Sequence, residues 1–425
     1  MHRQAAIGFL LVGVLRAAQA LGYPLDGYEE TGITRLEAYR RAVEGGIRFL
    51  PHGAQFPSST VRLRLADRPD FRIPDPDREL SRKLAALVGG SPAYSIALLD
   101  LTDPWEPRYA EHNATVPMTP ASVGKIMVAL SLFQALADVY PDLDERRRVM
   151  RETVVTANRF IRNDDHKVPI WALGDPIVIR RPLEEGDTGN LWTYLDWMCS
   201  ASSNAAGSMV QREALLLRHF GRGYPVDADQ ARAYFDDTPS GQLQADLARA
   251  LEAPVSRNGL DLSRLRQGRF FTREAKRIIP GTSSHATSRE LLRYLVRMEQ
   301  GLLVDAFSSL AIKRLLYLTD VRIRYATSPA LVNAAVYFKS GSLFGCTPEP
   351  GFVCEKYHGN LRNYMHSIAI VETPDREPSL HYIVAVMSNV LRRNSSDVHQ
   401  VLATDIHRLI ESLHPGGPRS NAGTP

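Results

Sequence analysis

The sequence predicts an α/β protein, in which an antiparallel sheet is covered by helices and carries an inserted all-helical lobe. Two strand-like runs near residue 100 precede a long helical stretch, from about 120 to 318. Three more strand-like runs and an amphipathic helix follow that stretch. Since the helical block separates strands with the pattern of one sheet, we expect it to form a lobe beside that sheet.

The composition is that of a globular protein about two to three average domains long. Of its 425 residues, 44% are hydrophobic and 23% are charged, which permits a buried core and excludes global disorder. The formal net charge of +4 is spread along the chain, which argues against a nucleic-acid-binding surface. No continuous apolar stretch reaches the roughly 18 residues of a membrane span, so no stable membrane insertion is expected. These features leave the oligomeric state open.

The N-terminus resembles an export signal. A short basic start and an apolar run over 5–15 precede Ala18-Gln19-Ala20, which has the small-x-small pattern of a cleavage site. The pattern predicts a signal peptide over 1–20 and a periplasmic or secreted protein, although Arg16 interrupts it. The alternative is an amphipathic N-terminal helix of the mature fold.

Export determines how the three cysteines are interpreted. In an oxidising compartment, Cys346 and Cys354 are spaced for a local disulfide across the turn-rich segment 347–351. Two free thiols are the alternative. Cys199 lies in an apolar helical segment, where we expect it to be buried. The cysteines are too few and scattered for a zinc site, and the histidines show no metal-ligand spacing, so we expect no metal and no cofactor.

The remaining elements follow in chain order. Residues 21–90 are predicted to form an N-terminal extension of unknown role, with a helix over 33–47 and a short strand over 61–65. The main domain is predicted over 91–413, followed by a flexible Pro/Gly/Ser-rich tail over 414–425. Within the main domain the predicted strands cover 94–100, 107–115, 334–339, 366–372 and 382–387, and the closing helix covers 398–413.

Ser122-Val123-Gly124-Lys125 is the first short motif with chemical potential. Thr119 suits an N-cap and Pro120 a first helical position, so Ser122 is predicted in the first turn of a helix. Lys125 then lies one turn along on the same face. Burial and the helix dipole both disfavour its ammonium form, so Lys125 can act as the base that activates the serine. Alone, the same residues also suit an exposed helix start.

Two further motifs follow along the chain. Ser202-Ser203-Asn204 lies on a connection between helices, where its hydroxyl can relay a proton and its carboxamide can bind a substrate amide. Lys339-Ser340-Gly341-Ser342 ends a strand, where a lysine and a serine can bind a carboxylate and a glycine permits close approach of a substrate. The backbone amides of Ser342 and Ser122 are predicted to pair as oxyanion donors.

In this order, S-x-x-K, S-x-N and K-[ST]-G resemble the signature set of the serine β-lactamase and penicillin-binding DD-peptidase superfamily. The segment Glu185-Gly186-Asp187-Thr188 and the predicted capping box of Thr287 and Glu290 are similar to the class A β-lactamase branch. The resemblance covers the chain from about 93 to 413. It implies a sandwich of an antiparallel sheet with flanking helices plus an all-helical lobe.

The resemblance also implies a role for each motif residue. Ser122 would attack a carbonyl and form an acyl-enzyme, with Lys125 as its base. Ser202 would pass a proton to the leaving nitrogen, assisted by Lys339. Substrate binding would fall to Asn204, Ser340, Gly341, Ser342 and Arg324. The assignment of Arg324 competes with that of a solvated surface arginine.

Two departures from class A bear on mechanism. Ser203 stands where that branch usually has an aspartate, and no E-x-x-L-N stretch supplies the glutamate that activates water for deacylation. Asp236 or Asp237 could replace it, although helix capping suits this pair better, and Glu213 is expected on an exposed helix surface. Without such a base an acyl-enzyme is long-lived.

The leading functional hypothesis is an exported serine hydrolase that opens a β-lactam or a related cyclic or peptide amide through Ser122. A DD-carboxypeptidase or endopeptidase acting on peptidoglycan peptides is the first alternative. The others are an ester-cleaving enzyme and a sensor that binds penicillin without turnover. Each takes a small-molecule or peptide substrate, and none requires nucleic acid or a cofactor.

Overall fold

The computed structural model describes residues 26–46, 53–54, 56–374 and 378–415. The predicted signal peptide, 1–20, lies outside these residues, and so does most of the predicted tail, 414–425. The elements below therefore belong to the predicted extension and the main domain.

A five-stranded antiparallel sheet with the order β2-β1-β11-β10-β9 forms the centre of the fold. Its strands are β1 (Tyr94–Asp100), β2 (Arg108–His112), β9 (Ala335–Gly345), β10 (Arg362–Thr373) and β11 (Leu380–Asn389). All five predicted strands are confirmed. Strand β9 is longer than predicted because its polar second half, from Ser340 on, keeps pairing with β10.

Three two-stranded ribbons pair β3 (Val154–Thr156) with β6 (Thr188–Asn190), β4 (Val168–Ile170) with β5 (Ile179–Arg181), and β7 (Leu265–Arg266) with β8 (His285–Ala286).

Helices flank the sheet and build the lobe. Those before the lobe are α1 (Tyr28–Thr31), α2 (Thr34–Glu44) and α3 (Arg78–Leu87). Those of the helical stretch are α4 (Lys125–Val139), α5 (Leu143–Glu152), α6 (Leu191–Cys199), α7 (Asn204–Phe220), α8 (Ala228–Asp237), α9 (Ser240–Arg257), α10 (Arg273–Ile278), α11 (Ser288–Glu299) and α12 (Ala306–Tyr317). The closing helix is α13 (Ser395–Leu413).

Both faces of the sheet are buried, in two separate cores. Along β1, Ala97 and Leu99 face a large core shared with the helical lobe, whereas Ile96 and Leu98 face a smaller core under α3 and α13. This alternation follows from the two-residue period of a strand. The sheet is therefore the middle layer of an α/β sandwich, which confirms the predicted fold class.

The segment before β1 packs into the same cores. Ile33 and Phe56 join the core of the lobe, and α3 covers the other face of the sheet. The predicted strand over 61–65 is wrong, because these residues form no strand in the structure. Instead, the Leu65 N–H donates to the Glu299 carbonyl (3.1 Å), which satisfies that backbone group outside any sheet.

The most apolar helix of the described residues is a core helix. By length and composition, Ala121–Val139 could cross a membrane, with a mean hydropathy of 1.4, but 78% of this apolar window is buried within the fold. Its apolar character is explained by the helices α7 and α9 that pack around it.

Candidate active site

Ser122 lies in a tight 3₁₀ turn, Ala121–Gly124, that leads directly into α4. The predicted cap by Thr119 is wrong, because Pro120 occupies the N-cap position and no side chain caps the turn. The turn makes Lys125 the first residue of α4, so that Ser122 Oγ and Lys125 Nζ are 2.9 Å apart. The serine and lysine of the first motif are therefore in direct contact.

The amine of Lys125 is fully buried among three oxygen atoms. Besides Ser122 Oγ, it contacts the Ser202 carbonyl oxygen (2.6 Å) and Asn204 Oδ1 (2.8 Å). Burial, together with the positive charge of Lys339, lowers the pKa of Lys125 well below its usual value. A neutral amine can donate to the carbonyl and the carboxamide and still accept the Ser122 proton. This geometry suits the activation of a serine, which is the role that the motif predicts for Ser122.

Ser202 and Lys339 form the second pair. Lys339 Nζ donates to Ser202 Oγ (2.8 Å) and to the Ser340 carbonyl oxygen (3.1 Å). Burial and the nearby Arg324 lower the pKa of Lys339 to about 7. All three motifs therefore meet at one place, with Ser122, Lys125, Ser202 and Lys339 connected through direct contacts.

Gly341 is required by the approach of β9 to the nucleophile. The inward-facing residues of β9 alternate, so Lys339 and Gly341 share the side on which Tyr337 packs into the core of the lobe. A Cβ at Gly341 would lie 2.7 Å from the Ser122 nitrogen and 2.8 Å from the Pro120 carbonyl oxygen, which is closer than any real Cβ contact. Ser342 follows on this edge strand, and the oxyanion role of its amide stays a prediction.

Arg324 binds the opposite face of β9. Its guanidinium donates to Ser340 Oγ and to Ser342 Oγ (3.2 Å) and stacks on the Tyr357 ring at 4.7 Å. Only 8% of Arg324 is exposed, so the alternative of a solvated surface arginine is wrong. The arginine places a positive charge beside the serine that is predicted to bind a substrate carboxylate.

Asp164 is a site residue that the sequence analysis missed. Its carboxylate accepts hydrogen bonds from Ser203 Oγ (3.0 Å) and from the Ala205 N–H (2.8 Å), and it contacts His166 Nδ1 (2.5 Å). Burial opposes its ionisation, but His166 and the Ala205 N–H lower the pKa of Asp164 to about 2. Asp164 thus brings a carboxylate to the loop where Ser203 lacks one. The acidic pair before His166 was the only signal in the sequence.

Backbone strain concentrates at this site. Eight residues other than glycine have positive φ among those the structure describes, and four of them line one cleft. These four are Ala121 (φ 47°), Ser202 (φ 59°), Arg324 (φ 65°) and Tyr357 (φ 68°). Strain of this kind persists only where surrounding contacts enforce it, and it is common at functional sites.

The structure brings none of the candidate deacylation bases to the nucleophile. Asp236 pairs with Arg159 at the end of α8. Glu213, expected on an exposed surface, is buried, and its carboxylate accepts a hydrogen bond from the Tyr224 hydroxyl (2.9 Å). That expectation was wrong because α7 is surrounded by other helices of the lobe. Instead of a carboxylate, the ring of Phe271 lies 4.8 Å from Lys125 Nζ.

The converging motifs open onto a cleft of about 830 Å³. A loop closed by a disulfide borders it: Cys346 and Cys354 are bonded, with Cα atoms 6.1 Å apart, and the residues just after the loop, Lys356 and Tyr357, line the cleft. Cys199 also lines it and carries a free, buried thiol. The cleft is large enough for a small molecule or a short peptide end.

An antiparallel sheet with an inserted helical lobe is also the fold of a solved penicillin-binding protein, PBP-A. A point mutant of PBP-A, solved as its acyl-enzyme complex with penicillin G, is 13% identical, with a TM-score of 0.50 over 80% of this chain and 100% of that one. This comparison confirms the fold that the motifs predicted. No protein-family model and no curated protein matches the chain.

Two β-lactamase structures are similar at the same level. The β-lactamase from Sphaerobacter thermophilus DSM 20745 is 13% identical, with a TM-score of 0.48 over 79% of this chain and 96% of that one. A class A representative from Bacteroides cellulosilyticus DSM 14838 is 15% identical, with a TM-score of 0.46 over 80% and 99%. At 13% identity the comparison with PBP-A shows the fold alone, so the chemistry has to be argued from the site.

The pKa of Lys339 predicts how acylation depends on pH. Below about pH 7 Lys339 carries the ammonium charge that its predicted role at a substrate carboxylate requires, and above about pH 7 that charge is lost. The second-order rate of acylation by a carboxylate-bearing substrate should therefore decline as the pH rises through about 7. Lys339→Arg keeps its charge and should abolish this alkaline decline. Stopped-flow measurement of the acylation rate across this pH range, for the unchanged protein and for Lys339→Arg, tests the prediction. A decline of the same size in Lys339→Arg would contradict the assignment of the charge to Lys339.

Proposed function

We propose that this protein is an exported serine hydrolase that forms an acyl-enzyme at Ser122 with β-lactams and related peptide amides. The observation that carries the proposal is the 2.9 Å contact between Ser122 Oγ and the buried amine of Lys125. Burial disfavours the ammonium form of Lys125, so the amine can accept the serine proton at neutral pH.

The proposed acylation step uses the residues in turn. Ser122 Oγ attacks the amide carbonyl carbon while Lys125 takes its proton, which gives a tetrahedral oxyanion. The carbon–nitrogen bond then breaks, and the leaving nitrogen takes the proton of the Ser202 hydroxyl. That hydroxyl regains a proton from the Lys125 ammonium when the two approach in the substrate complex, since in the structure Lys125 contacts Ser202 through its carbonyl oxygen (2.6 Å). Lys339, bonded to Ser202 Oγ, stabilises this transfer electrostatically. The product is an ester at Ser122.

We infer that hydrolysis of this ester is slow. Among the described residues that line the cleft, the one carboxylate is that of Asp165, a fully exposed side chain. The face of Lys125 next to Phe271 is covered by an apolar ring, which leaves no acidic group there to activate water. This favours a penicillin-binding enzyme of the DD-peptidase kind over an efficient β-lactamase.

Action outside the cytoplasm is part of the proposal. The Cys346–Cys354 disulfide supports it, since such bonds persist in oxidising compartments. Peptidoglycan peptides are then the natural substrates of suitable chemistry, because their terminal amides carry an adjacent carboxylate that Ser340 and Arg324 can bind.

Covalent labelling and turnover, measured side by side, test the proposal. Fluorescent penicillin should label the protein stably, and a chromogenic cephalosporin should be hydrolysed at no more than about one per minute, because deacylation lacks a base. Ser122→Ala should abolish both signals, with Ser412→Ala, at an exposed serine of α13 outside the cleft, as the matched control. Rapid turnover without labelled protein would make it a β-lactamase, and labelling that survives Ser122→Ala would refute the proposal.

A further inference from the structure

The cleft carries more positive charge than the proposed chemistry uses. Seven lysine and arginine side chains line it, against a single carboxylate among the described lining residues, although the whole chain has a net charge of only +4. Lys339 donates to Ser202 Oγ, Arg324 donates to Ser340 Oγ, and Arg180 is paired with Asp320. Four cations remain with no ion pair in the described parts of the chain: Lys167, Arg269, Lys276 and Lys356.

Two of these four, the pair Arg269 and Lys276, lie on either side of Phe271 in the chain and line the cleft together with Ser122. Lys276 is about half-buried, and its amine donates to the Phe271 carbonyl oxygen (2.9 Å) rather than to a carboxylate. Arg269 lines the same cleft, and burial together with its charge lowers the pKa of Lys276. The ring of the same Phe271 lies against Lys125. Lys276 is thus hydrogen-bonded to the residue whose ring covers the catalytic lysine.

The backbone that carries this pair is held in place. The Arg269 carbonyl oxygen accepts hydrogen bonds from Gln267 Nε2 (2.6 Å) and Gln211 Nε2 (3.1 Å). At Gly268, a Cβ would lie 2.3 Å from Thr282 Oγ1 and 2.6 Å from the Ser283 carbonyl oxygen, so two stretches of backbone are in tight contact there. A cation pair on a fixed loop is preorganised for an anion, because its binding costs little ordering of the backbone.

We propose that Lys276 and Arg269 form a second anion-binding subsite, which selects substrates that carry a carboxylate on the acyl side of the scissile bond. The inference rests on the proposed function and specifies its substrate class. The carboxylate next to the leaving nitrogen is assigned to Ser340 and Arg324 on β9. Phe271 instead lies against Lys125, which also contacts Asn204, the residue predicted to bind the substrate amide. An anion at Lys276 therefore belongs to the part of the substrate that stays attached to Ser122.

Three penicillins that differ in one substituent test this subsite. Benzylpenicillin, its α-carboxybenzyl analogue and its α-aminobenzyl analogue share ring system and phenyl group, and differ in the charge on the acyl side chain. The second-order acylation rate should be about tenfold higher for the carboxy than for the amino compound at low salt, with benzylpenicillin between them. The ratio should fall as salt is added, since the subsite is partly open to solvent.

Variants of Lys276 assign the effect to the subsite. Lys276→Met should reduce the carboxy-to-amino ratio to about twofold, and Lys276→Arg should restore it. Lys83→Met is the matched control, because it removes the same charge from a surface pair with Glu79, far from the cleft. Arg269→Gln replaces an exposed residue of the same subsite, so the subsite can still be tested if Lys276→Met does not fold.

The outcomes separate the two proposals. Equal rates for the three penicillins, or a ratio that Lys276→Met and Arg269→Gln leave unchanged, would overturn the subsite while acylation at Ser122 stands. If benzylpenicillin itself fails to acylate the unchanged protein, the proposed function is refuted, and the proposed subsite is refuted together with it.

Discussion

Acylation of the Lys125→Met variant is expected to be about a thousandfold slower than that of the unchanged protein. Methionine fills the space of the lysine stem but cannot take the proton of Ser122, and general-base catalysis of this kind contributes roughly 10²–10⁴-fold. The contact between Ser122 Oγ and Lys125 Nζ is the direct route for that proton in the structure. Stopped-flow acylation by benzylpenicillin measures the loss.

Stability measurements separate this effect from misfolding. Lys125→Met leaves Asn204 Oδ1 and the Ser202 carbonyl oxygen without a donor, which lowers the free energy of unfolding by about 1–3 kcal/mol. The variant also no longer has to bury a lysine amine, which acts in the opposite direction. Thermal unfolding should show a folded protein at the assay temperature, and Lys83→Met should keep its full acylation rate. Acylation within tenfold of the unchanged protein in a folded Lys125→Met variant would contradict the proposed base.

A second large effect is expected on stability rather than on chemistry. Lys313→Met should lower the free energy of unfolding by about 3–5 kcal/mol, because it leaves the buried Glu299 without its cation and Glu372 with Arg64 alone. Lys313 Nζ lies 2.6 Å from Glu299 Oε1 and 2.8 Å from Glu372 Oε1, and all three side chains are fully buried. Burial raises the pKa of Glu299, whereas Lys313 and Arg64 hold the pKa of Glu372 at about 2 against the effect of burial.

The same cluster attaches the segment before β1 to the lobe. Lys313 also donates to the Arg62 carbonyl oxygen (2.7 Å), and Arg64 Nη2 binds Glu372 Oε2 (2.8 Å). Urea unfolding of Lys313→Met measures the loss, and Lys83→Met, which breaks an exposed pair, should leave the midpoint unchanged. A change under 1 kcal/mol in Lys313→Met would show that the cluster does not hold this segment.

The sequence predicted the sheet because its strands carry a strong local signal. Tyr94–Asp100 is a strand with the predicted bounds, since both faces of the sheet are buried and the run is apolar from Ile96 to Leu99. The short run over 61–65 has a similar alternation but pairs with no strand, because burial of Val61 and Leu65 against helices satisfies the same pattern. Periodicity reports which residues are buried, and the partner that buries them is decided by the tertiary fold.

The site residues that could be predicted from the sequence are those of the three motifs. Ser122, Lys125, Ser202 and Lys339 could be chosen because their order and spacing restrict the chemistry. Asp164 could not, since nothing near it in the chain shows that it binds the backbone at Ala205. One half of the predicted capping box of Thr287 and Glu290 is confirmed, because the Thr287 side chain caps α11. The other half is wrong, because the Glu290 carboxylate accepts a hydrogen bond from the Asp261 N–H instead. Such contacts depend on loops that sequence patterns do not position.

Location of the adduct by mass spectrometry tests the central claim most directly. After exposure to benzylpenicillin, proteolysis and peptide sequencing should place a single penicilloyl group on the hydroxyl of Ser122. That result would show that three segments distant in the chain act on one serine. An adduct on any other residue, or an intact protein that gains no mass under saturating β-lactam, would contradict this account of the protein.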